Sequence, residues 1–352
     1  MTGNMYDGLR ITRAGSGNQR AGVTEYPSGS AAEVRMSEST ATAGLFRHVA
    51  FFYRTAEEYA TTMAGFLGDG VAAGEPTLAA VPEGQLGLVT DALGADARRV
   101  EFADMTEMGR NPAWIIPRVQ AFVGLHAGQH VRYVGEPIWA SRSPAELREA
   151  TRHEALINLA FAGADAEILC PYNAAQLGQA VITDARHTHP LLLSDGSAGT
   201  SAEYAGPFGL PSSCSAPLPA RPDTAVIHTY RSDLSQVRAL GMESAGEAGL
   251  PDDRASDLVL AVSEVAANTL RHTPSSGTLA IWHDPHEIVC EIHDDGVITD
   301  PLAGRRRPAP DALGGHGLWL VHQVCDLVEL RSDTTGTTVR MHMAIRSPRP
   351  LR

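Results

Sequence analysis

Hydrophobic and polar positions recur with a helical period between Asp257 and Thr273. The apolar residues fall at steps of three and four, the spacing of one face of an amphipathic helix. They are Leu258, Ala261, Val262, Val265, Ala266 and Leu270. Glu264, Asn268 and His272 are four apart, slightly more than one turn, so they are predicted to project from one face. Such a row can hold a metal-bound phosphate beside a proton acceptor, although it is also typical of a solvated helix face.

Short apolar runs alternate with helical periods between Phe46 and Arg186. The runs predicted to be strands are HVAFFY, PTLAAVP, RRVEFAD, HVRYVGEP and AEILCPY. Alternation of strands and helices predicts an α/β domain, in which a parallel sheet is covered by helices on both faces. No G-x-x-x-x-G-K-[ST] sequence occurs in this part, so a phosphate-binding loop of that kind is excluded.

From Thr224 onward the predicted strands come in neighbouring pairs. GTLAIWHD and EIVCEIHD flank the turn DPHE, and LVELRSD and TTVRMHM flank TTG, so both pairs are predicted to be antiparallel. Two helices precede them, the second being the one that carries Glu264. Helices segregated on an antiparallel sheet predict an α+β sandwich for this part of the chain.

Composition narrows the class of protein. The chain has 352 residues, enough for two or three domains of about 100–200 residues each. Its net charge of −13 argues against broad nucleic-acid binding, which needs a basic surface. It contains no apolar run of about 18 residues and no signal-peptide core near its start, so neither a membrane span nor secretion is expected. Four widely spaced cysteines predict reduced thiols in a cytoplasmic protein.

Changes in composition predict the domain boundaries. The predicted parts are a disordered extension at 1–43, a first domain at 44–194, a linker at 195–223, a second domain at 224–346 and a tail at 347–352. The extension lacks any sustained period, and Met36 within it is an alternative start. The linker is rich in Pro, Gly and Ser, which predicts a semi-extended segment with Cys214 exposed.

Three further motifs follow the helix of Glu264. HDDG contains Asp294 and Gly296, and TTGTTV leads through Thr338 into a strand. LGGHGLWLVHQ contains Gly315, His316, Gly317 and Leu318 at the start of a predicted helix. The free amides at that helix end can face a polyphosphate, and glycine lets the backbone approach it closely. Each motif alone is also compatible with a simple tight turn.

The ordered set E-x-x-x-N, D-x-G, G-x-G-L and G-T-T resembles the GHKL ATPase superfamily, and most of all its anti-sigma-factor serine-kinase branch (RsbW-like), over Thr224 to Ile345. The resemblance implies a Bergerat-type ATPase sandwich that uses ATP and Mg²⁺. It implies that Asn268 is the metal ligand and that Glu264 is the general base. Asp294 would accept a hydrogen bond from the exocyclic amine of adenine.

The resemblance extends the nucleotide site to further residues. These are His272, Gly296, Gly315, His316, Gly317, Leu318 and Thr338, the last offering a hydroxyl near the adenine. Ile298 departs from the family pattern D-x-G-x-G, because it stands where the second glycine is expected. It implies a tighter adenine wall or weaker nucleotide affinity. The run Arg305 to Arg307 falls in the family's ATP lid, where it can clamp phosphates, dock an acidic partner or form a solvated loop.

The first domain resembles the MEDS sensory domain over Phe46 to Leu193. The resemblance rests on HVAFFY-x-x-x-x-E, on GEPIWA and on R-x-E-A-L-I-N. It implies a RecA-like fold without a phosphate loop that senses a small molecule. The candidate pocket residues are Glu136, Trp139, Glu154, Asn158 and Tyr172, with packing as the alternative role for each. His187 and His189 form an H-x-H pair without further nearby ligands, so a solvated loop is predicted there rather than a metal site.

Two functions follow from these resemblances. The first is a protein serine kinase that also binds a sigma factor and phosphorylates a STAS-type anti-sigma-factor antagonist, under control of a ligand of the first domain. The second is a non-catalytic, nucleotide-dependent partner-binding switch, which Ile298 favours. Both are compatible with a homodimer, and neither involves nucleic acid or a membrane directly.

Overall fold

A computed structural model of the protein describes residues 46–194, 196–309, 311–312 and 314–345. The predicted extension, including Met36, and the predicted tail lie outside these residues. No helix in the described part of the chain is both long enough and apolar enough to cross a membrane.

The first part of the chain forms a seven-stranded sheet with the order β3-β2-β4-β5-β1-β6-β7. The strands are β1 Phe46–Tyr53, β2 Thr77–Val81, β3 Glu101–Asp104, β4 Val131–Gly135, β5 Ala166–Asn173, β6 Leu191–Ser194 and β7 Ser197–Thr200. Neighbouring strands are parallel except for β6 and β7, which are antiparallel. The prediction of a parallel sheet is therefore confirmed for every pairing except that of β6 with β7.

Helices cover both faces of this sheet. They are α1 Ala56–Ala73, α2 Glu83–Leu93, α3 Met105–Met108, α4 Ile115–Leu125, α5 Pro144–Ala160 and α6 Gln179–Thr188. Ala50 of β1 packs in one core with α4, α5 and α6, whereas its neighbours Val49 and Phe51 pack in a second core with α1 and α2. Successive strand residues point to opposite faces, so the strand is buried on both sides, as its continuous apolar sequence predicts.

The second part of the chain forms a five-stranded antiparallel sheet with the order β11-β12-β10-β9-β8. Its strands are β8 Val226–Tyr230, β9 Gly277–His283, β10 Glu287–Asp294, β11 Leu327–Asp333 and β12 Gly336–Ala344. The helices α8 Ser235–Ala248, α9 Asp252–His272 and α10 His316–Val324 pack with it around one core. The apolar face predicted for α9 is buried in that core, including Leu258, Val262 and Val265. The antiparallel pairing predicted for both hairpins is confirmed.

The segment between the two parts contains more structure than its composition predicts. β7 lies within it, and a short helix, α7 Ser212–Ser215, follows. The prediction that Cys214 is exposed is wrong, since its side chain is fully buried and burial raises the pKa of its thiol to about 11. Arg152 of α5 donates a hydrogen bond to the Cys214 carbonyl. Local composition did not reveal this burial, because α5 lies some sixty positions away in the chain.

The solvated loop predicted for the H-x-H pair is also wrong. His187 lies within α6, and His189 immediately follows that helix with no exposed surface. The chain beyond β7 folds back over this helix end, where the Ala205 amide donates to the His187 carbonyl at 3.0 Å. His189 itself lies against His48, Tyr172 and Glu154, which are distant in the chain, so periodicity gave no sign of its burial.

Candidate functional site

A cavity of about 1030 Å³ lies beside α9 in the second part of the chain. Small-molecule sites span about 300–1,000 Å³, so this cavity can accept a ligand the size of a nucleotide. Nine of the ten site residues predicted from the sequence line it. They are Glu264, Asn268, His272, Asp294, Gly296, Gly315, His316, Gly317 and Leu318. The tertiary structure thus brings together residues from α9, the end of β10 and the start of α10.

The polar row of α9 faces the first turn of α10. A Cβ atom added to Gly317 would lie 3.0 Å from Glu264 Oε2 and 3.3 Å from Asn268 Nδ2. Because real Cβ atoms rarely pack so tightly, glycine is what allows this backbone to approach the two side chains. Glu264 and Asn268 are half-buried, whereas His272 is exposed at the rim of the cavity.

The two half-buried members of the row differ in their partners. The Asn268 Oδ1 atom accepts a hydrogen bond from Arg271 Nη1 at 3.0 Å. Arg271 is exposed, so its guanidinium can leave this oxygen for water at little cost. Among the described residues, no side chain forms a hydrogen bond or ion pair with Glu264 that occupies its carboxylate. Glu264 therefore presents free lone pairs to the cavity.

Asp294 is held rigidly in the cavity wall. Its Oδ1 accepts from the Gly296 amide at 2.8 Å, and its Oδ2 accepts from Thr269 Oγ1 at 2.6 Å. The Tyr230 hydroxyl donates in turn to Thr269 Oγ1 at 3.0 Å. Burial raises the pKa of Tyr230 to about 12, so the phenol keeps its proton and remains a donor. The chain of donors fixes the orientation of the carboxylate, whose remaining lone pairs can accept from a ligand amine.

Thr269 and Tyr230 escaped the sequence prediction. Thr269 follows Asn268 directly and lies on the buried side of α9. A hydroxyl among the apolar residues of that side is the sequence feature that could have identified it. Tyr230 ends a strand far away in the chain, and no local pattern connects it with Asp294.

The hydroxyl that reaches the cavity belongs to Thr337 rather than to Thr338. Thr337 lines the cavity and donates from Oγ1 to the Gly296 carbonyl at 2.7 Å. The Thr338 hydroxyl instead pairs with His293 Nδ1 at 3.0 Å. Successive side chains of a strand point to opposite faces, so an error of one position moves the hydroxyl away from the cavity. Ile298 does line the cavity, at the position where the sequence motif has its expected glycine.

The described residues of the segment 296–315, here called the lid, border the cavity and are docked on the first part of the chain. The described residues of both parts belong to one compact unit. Leu302 of the lid is 1% exposed and packs in the core formed by α4, α5 and α6. Arg305 is 3% exposed and forms an ion pair with Glu149 of α5. Glu149 also accepts from Arg331 Nη1 of β11 at 3.0 Å.

The three arginines of the lid therefore have different surroundings. Arg305 is buried against Glu149 of the first part of the chain. Docking of these arginines on an acidic partner protein stays a prediction. Arg306 and Arg307 line the cavity, where they bring positive charge. One stretch of the lid thus both contacts the first part of the chain and borders the ligand space.

The first part of the chain also holds the far end of α10. The Asn111 side-chain amide and the Trp114 indole both donate to the His322 carbonyl, at 3.0 Å and 2.5 Å. Burial, together with the nearby Arg305 guanidinium, keeps the pKa of His322 well below its usual value, so this imidazole is neutral. Since the other end of α10 faces the cavity, this helix contacts both the first part of the chain and the ligand space.

A second ion pair joins the same two parts. Arg148 Nη2 of α5 lies 2.8 Å from Glu329 Oε1 of β11, and Glu329 Oε2 lies 3.3 Å from His342 Nε2. Burial disfavours the charge on His342, but its hydrogen bonds to Glu287 and Glu329 outweigh that effect and raise the pKa of His342 to about 9. The imidazole is therefore charged near neutral pH. Together with Arg148 it keeps the Glu329 carboxylate ionised.

Residues predicted to form a pocket in the first part are divided between two places. Glu136 accepts from the Tyr53 and Tyr59 hydroxyls at 2.7 Å and 2.9 Å. Burial raises the pKa of Glu136 to about 7. The Arg142 guanidinium covers the Trp139 ring, with 3.7 Å between them. These contacts favour the packing role for Glu136 and Trp139, whereas Glu154, Asn158 and Tyr172 gather elsewhere around buried histidines.

Two family models match separate stretches of the chain. Residues 47–190 match the family model of MEDS, the methanogen/methylotroph, DcmR sensory domain. Residues 229–343 match the family model of the histidine kinase-like ATPase domain. A search of curated proteins returns no match to the chain.

Proposed function

Because the chain joins a MEDS sensory domain to a histidine kinase-like ATPase domain, we propose that it is a regulated ATP- and Mg²⁺-dependent protein serine kinase. The acceptor is a serine of a STAS-type anti-sigma-factor antagonist, and the ATPase domain also binds the sigma factor. The observation that carries the proposal is the pairing of Glu264 with Asn268 against the bare backbone of Gly317. This arrangement supports the proposal, because a proton acceptor beside an oxygen ligand for magnesium suits phosphate transfer.

The cavity residues fit the nucleotide that such a domain implies. Asp294 offers an oriented carboxylate to the adenine amine. The free amides at the start of α10 lie at its positive dipole end, where they can receive phosphate oxygens. Gly315, the N-cap of α10, has a left-handed backbone with φ of 84°, which favours glycine. Asn268 supplies an amide oxygen, and magnesium prefers oxygen ligands of this kind.

Phosphate transfer depends mainly on positioning and on neutralising charge. When bound, magnesium neutralises charge on the phosphate oxygens. Asn268 gives up its hydrogen bond with exposed Arg271 to hold that ion. Glu264 orients the acceptor hydroxyl and takes its proton, because its carboxylate has no competing partner among the described residues. Arg306 and Arg307 add positive charge at the edge of the cavity.

Control by the MEDS domain acts through the lid and α10. Glu149 holds Arg305 of the lid, while Asn111 and Trp114 hold the end of α10. A ligand that shifts α5 or the loop around Asn111 changes the position of residues that border the nucleotide. Only a ligand with different affinities for the two arrangements can shift the balance between them.

A non-catalytic switch is the second candidate function. Ile298 favours it, because a branched side chain lines the cavity where the kinase pattern has glycine. In that case nucleotide binding alone would change affinity for a partner.

Incubation of the full chain with labelled ATP, Mg²⁺ and STAS-type antagonist proteins separates the two candidates. We expect label on a serine of one antagonist. Nucleotide binding and partner binding without any transfer would overturn the kinase and leave the switch.

Nucleotide binding itself is expected to depend on the contact between α10 and α9. Gly317→Ala places a methyl group 3.0 Å from Glu264 Oε2 and 3.3 Å from Asn268 Nδ2. The Glu264 and Asn268 side chains must move by a few tenths of an ångström to make room, which displaces the proposed metal ligand. At a cost of about 1 kcal/mol or more, calorimetry should show Mg-ATP affinity falling by roughly fivefold or more.

Gly314→Ala is the matched control, since no atom of the described residues lies within 4 Å of an added Cβ at that position. It should bind Mg-ATP like the unmodified protein. Equal affinities for the two variants would show that the close approach of α10 does not shape the nucleotide site.

A further inference from the structure

Four side chains with metal-binding atoms converge inside the MEDS domain, away from the nucleotide cavity. They are His48 of β1, Glu154 of α5, Cys170 of β5 and His189, which follows α6. Each is at most 1% exposed, and their ligand atoms all lie within 4.8 Å of one another. Polar groups buried this deeply need partners, and charged ones need neutralisation.

The distances resemble those around a tetrahedral metal ion. Glu154 Oε2 lies 3.2 Å from Nε2 of His48 and 3.2 Å from Nε2 of His189. Cys170 Sγ lies 3.4 Å from His48 Nε2. Zinc bonds of about 2.0–2.3 Å place neighbouring ligand atoms about 3.3–3.8 Å apart. The side chains therefore need only small shifts to surround one ion.

Hydrogen bonds on the far side of both imidazoles determine where their protons lie. The Asn158 amide nitrogen donates to the Thr188 carbonyl at 2.7 Å, so its Oδ1 faces His48 Nδ1 at 3.1 Å. His189 Nδ1 lies 2.8 Å from the Ala185 carbonyl. Both Nδ1 atoms face oxygen acceptors and must donate. In the neutral imidazole, each Nε2 then carries a lone pair.

The lone pairs consequently converge on one carboxylate oxygen. Two Nε2 atoms, Glu154 Oε2 and the Cys170 sulfur share a space from which water is excluded. A single additional proton can form a hydrogen bond between the carboxylate and only one of the two imidazole rings. His189 Nε2 and Glu154 Oε1 both lack a hydrogen-bond partner among the described residues. A bound cation would satisfy all of these groups together.

We propose that His48, Glu154, Cys170 and His189 bind a divalent cation of the zinc type. Two nitrogens, one sulfur and one oxygen suit this borderline-soft ion, and four protein ligands leave no open position, as in structural zinc sites. Asn158 and the Ala185 carbonyl act behind the ligands, because they orient the two rings. Binding releases the thiol proton of Cys170 to solvent, so the thiolate bonds to the ion.

The proposed metal site lies where four elements of the MEDS domain meet. It joins β1, β5, α5 and the end of α6. Glu149, which holds the lid, precedes Glu154 by five residues, or about 7.5 Å along the axis of α5. The proposed ion therefore anchors the helix that contacts the ATPase domain. The metal site itself does not depend on the kinase assignment.

Elemental analysis of the full chain, produced with zinc in the medium, tests the proposal. We expect about one zinc per chain, as for a metal that folds with its site. Cys170→Ser and His189→Ala should each weaken zinc binding by about 100-fold or more in chelator competition, since even groups behind the ligands contribute about 10–100-fold. His187→Ala is the matched control, because this histidine lies two positions away and outside the cluster. It should retain the metal.

Cobalt provides a readout that is independent of activity. The cobalt-loaded chain should show a thiolate-to-metal charge-transfer band that Cys170→Ser removes and His187→Ala retains. If the variants fail to fold, the Tm of the unmodified chain tests the proposal instead. A chelator should lower this Tm, and added zinc should restore it. Absence of zinc from the purified chain, with no zinc binding and no effect of the chelator on Tm, would overturn the proposal. Equal loss of zinc in His187→Ala would also overturn it.

Discussion

Glu264→Gln is expected to slow phosphate transfer to the antagonist by about 100-fold or more while leaving Mg-ATP binding nearly unchanged. The amide keeps the size of the side chain but cannot accept the proton of the acceptor hydroxyl. Its neighbours are undisturbed, because no described side chain depends on the Glu264 carboxylate for a hydrogen bond. Transfer of labelled phosphate and calorimetry of Mg-ATP binding measure the two properties separately.

Two variants of the same helix face provide the controls. Asn268→Ala removes the proposed magnesium ligand, so it should weaken Mg-ATP binding and transfer together. His272→Ala changes an exposed residue at the rim of the cavity, so it should weaken Mg-ATP binding less than Asn268→Ala does and leave the rate of transfer from bound ATP unchanged. If Glu264→Gln transfers phosphate as fast as the unmodified protein, Glu264 is not the base.

Glu149→Ala is expected to destabilise the protein by about 3–5 kcal/mol, because it leaves buried positive charges without their partner. Glu149 is 1% exposed and pairs with both Arg305 of the lid and Arg331 of β11. Urea unfolding measures the loss of stability. Hydrogen exchange should also show faster exchange in the lid, while the buried face of α9 remains protected.

Glu146→Ala is the matched control for Glu149→Ala. It removes the same charge from the same helix, but Glu146 belongs to the capping box with Ser143 and does not reach the lid. Loss of a capping interaction costs about 0.5–2 kcal/mol. If both variants unfold at the same urea concentration with the same slope, the ion pairs of Glu149 do not hold the two domains together.

Much of the nucleotide site was predictable because its residues lie in ordered local motifs. The four-residue spacing of Glu264, Asn268 and His272 placed them on one face of α9, and all three line the cavity. Thr338 shows the limit of such reasoning. A strand reverses its side chains at each residue, and the register that selects Thr337 is set by pairing with β10 and β11.

The metal-type cluster had a weaker signal. His48 and Cys170 each interrupt an apolar run that was predicted to be a buried strand. Polar atoms in such positions need partners, but the local pattern does not show that these two residues meet. Which residues complete the cluster depends on the parallel pairing of β1 with β5 and on the packing of α5 against them. His189 was misassigned because its contacts, His48, Glu154 and Tyr172, come from elements distant in the chain.

The sequence by itself determined the alternation of strands and helices in the first domain, the antiparallel hairpins of the second, and the polar face of α9. These features follow from periods of 2 and 3.6 residues, which local backbone geometry imposes. Only the tertiary structure decided that the lid docks on α5, that Cys214 is buried and that His189 joins His48. Arg305 and Glu149 are separated by 156 positions in the chain. Periodicity shows which face of an element is apolar, but the segment that covers this face is selected by packing of the whole chain.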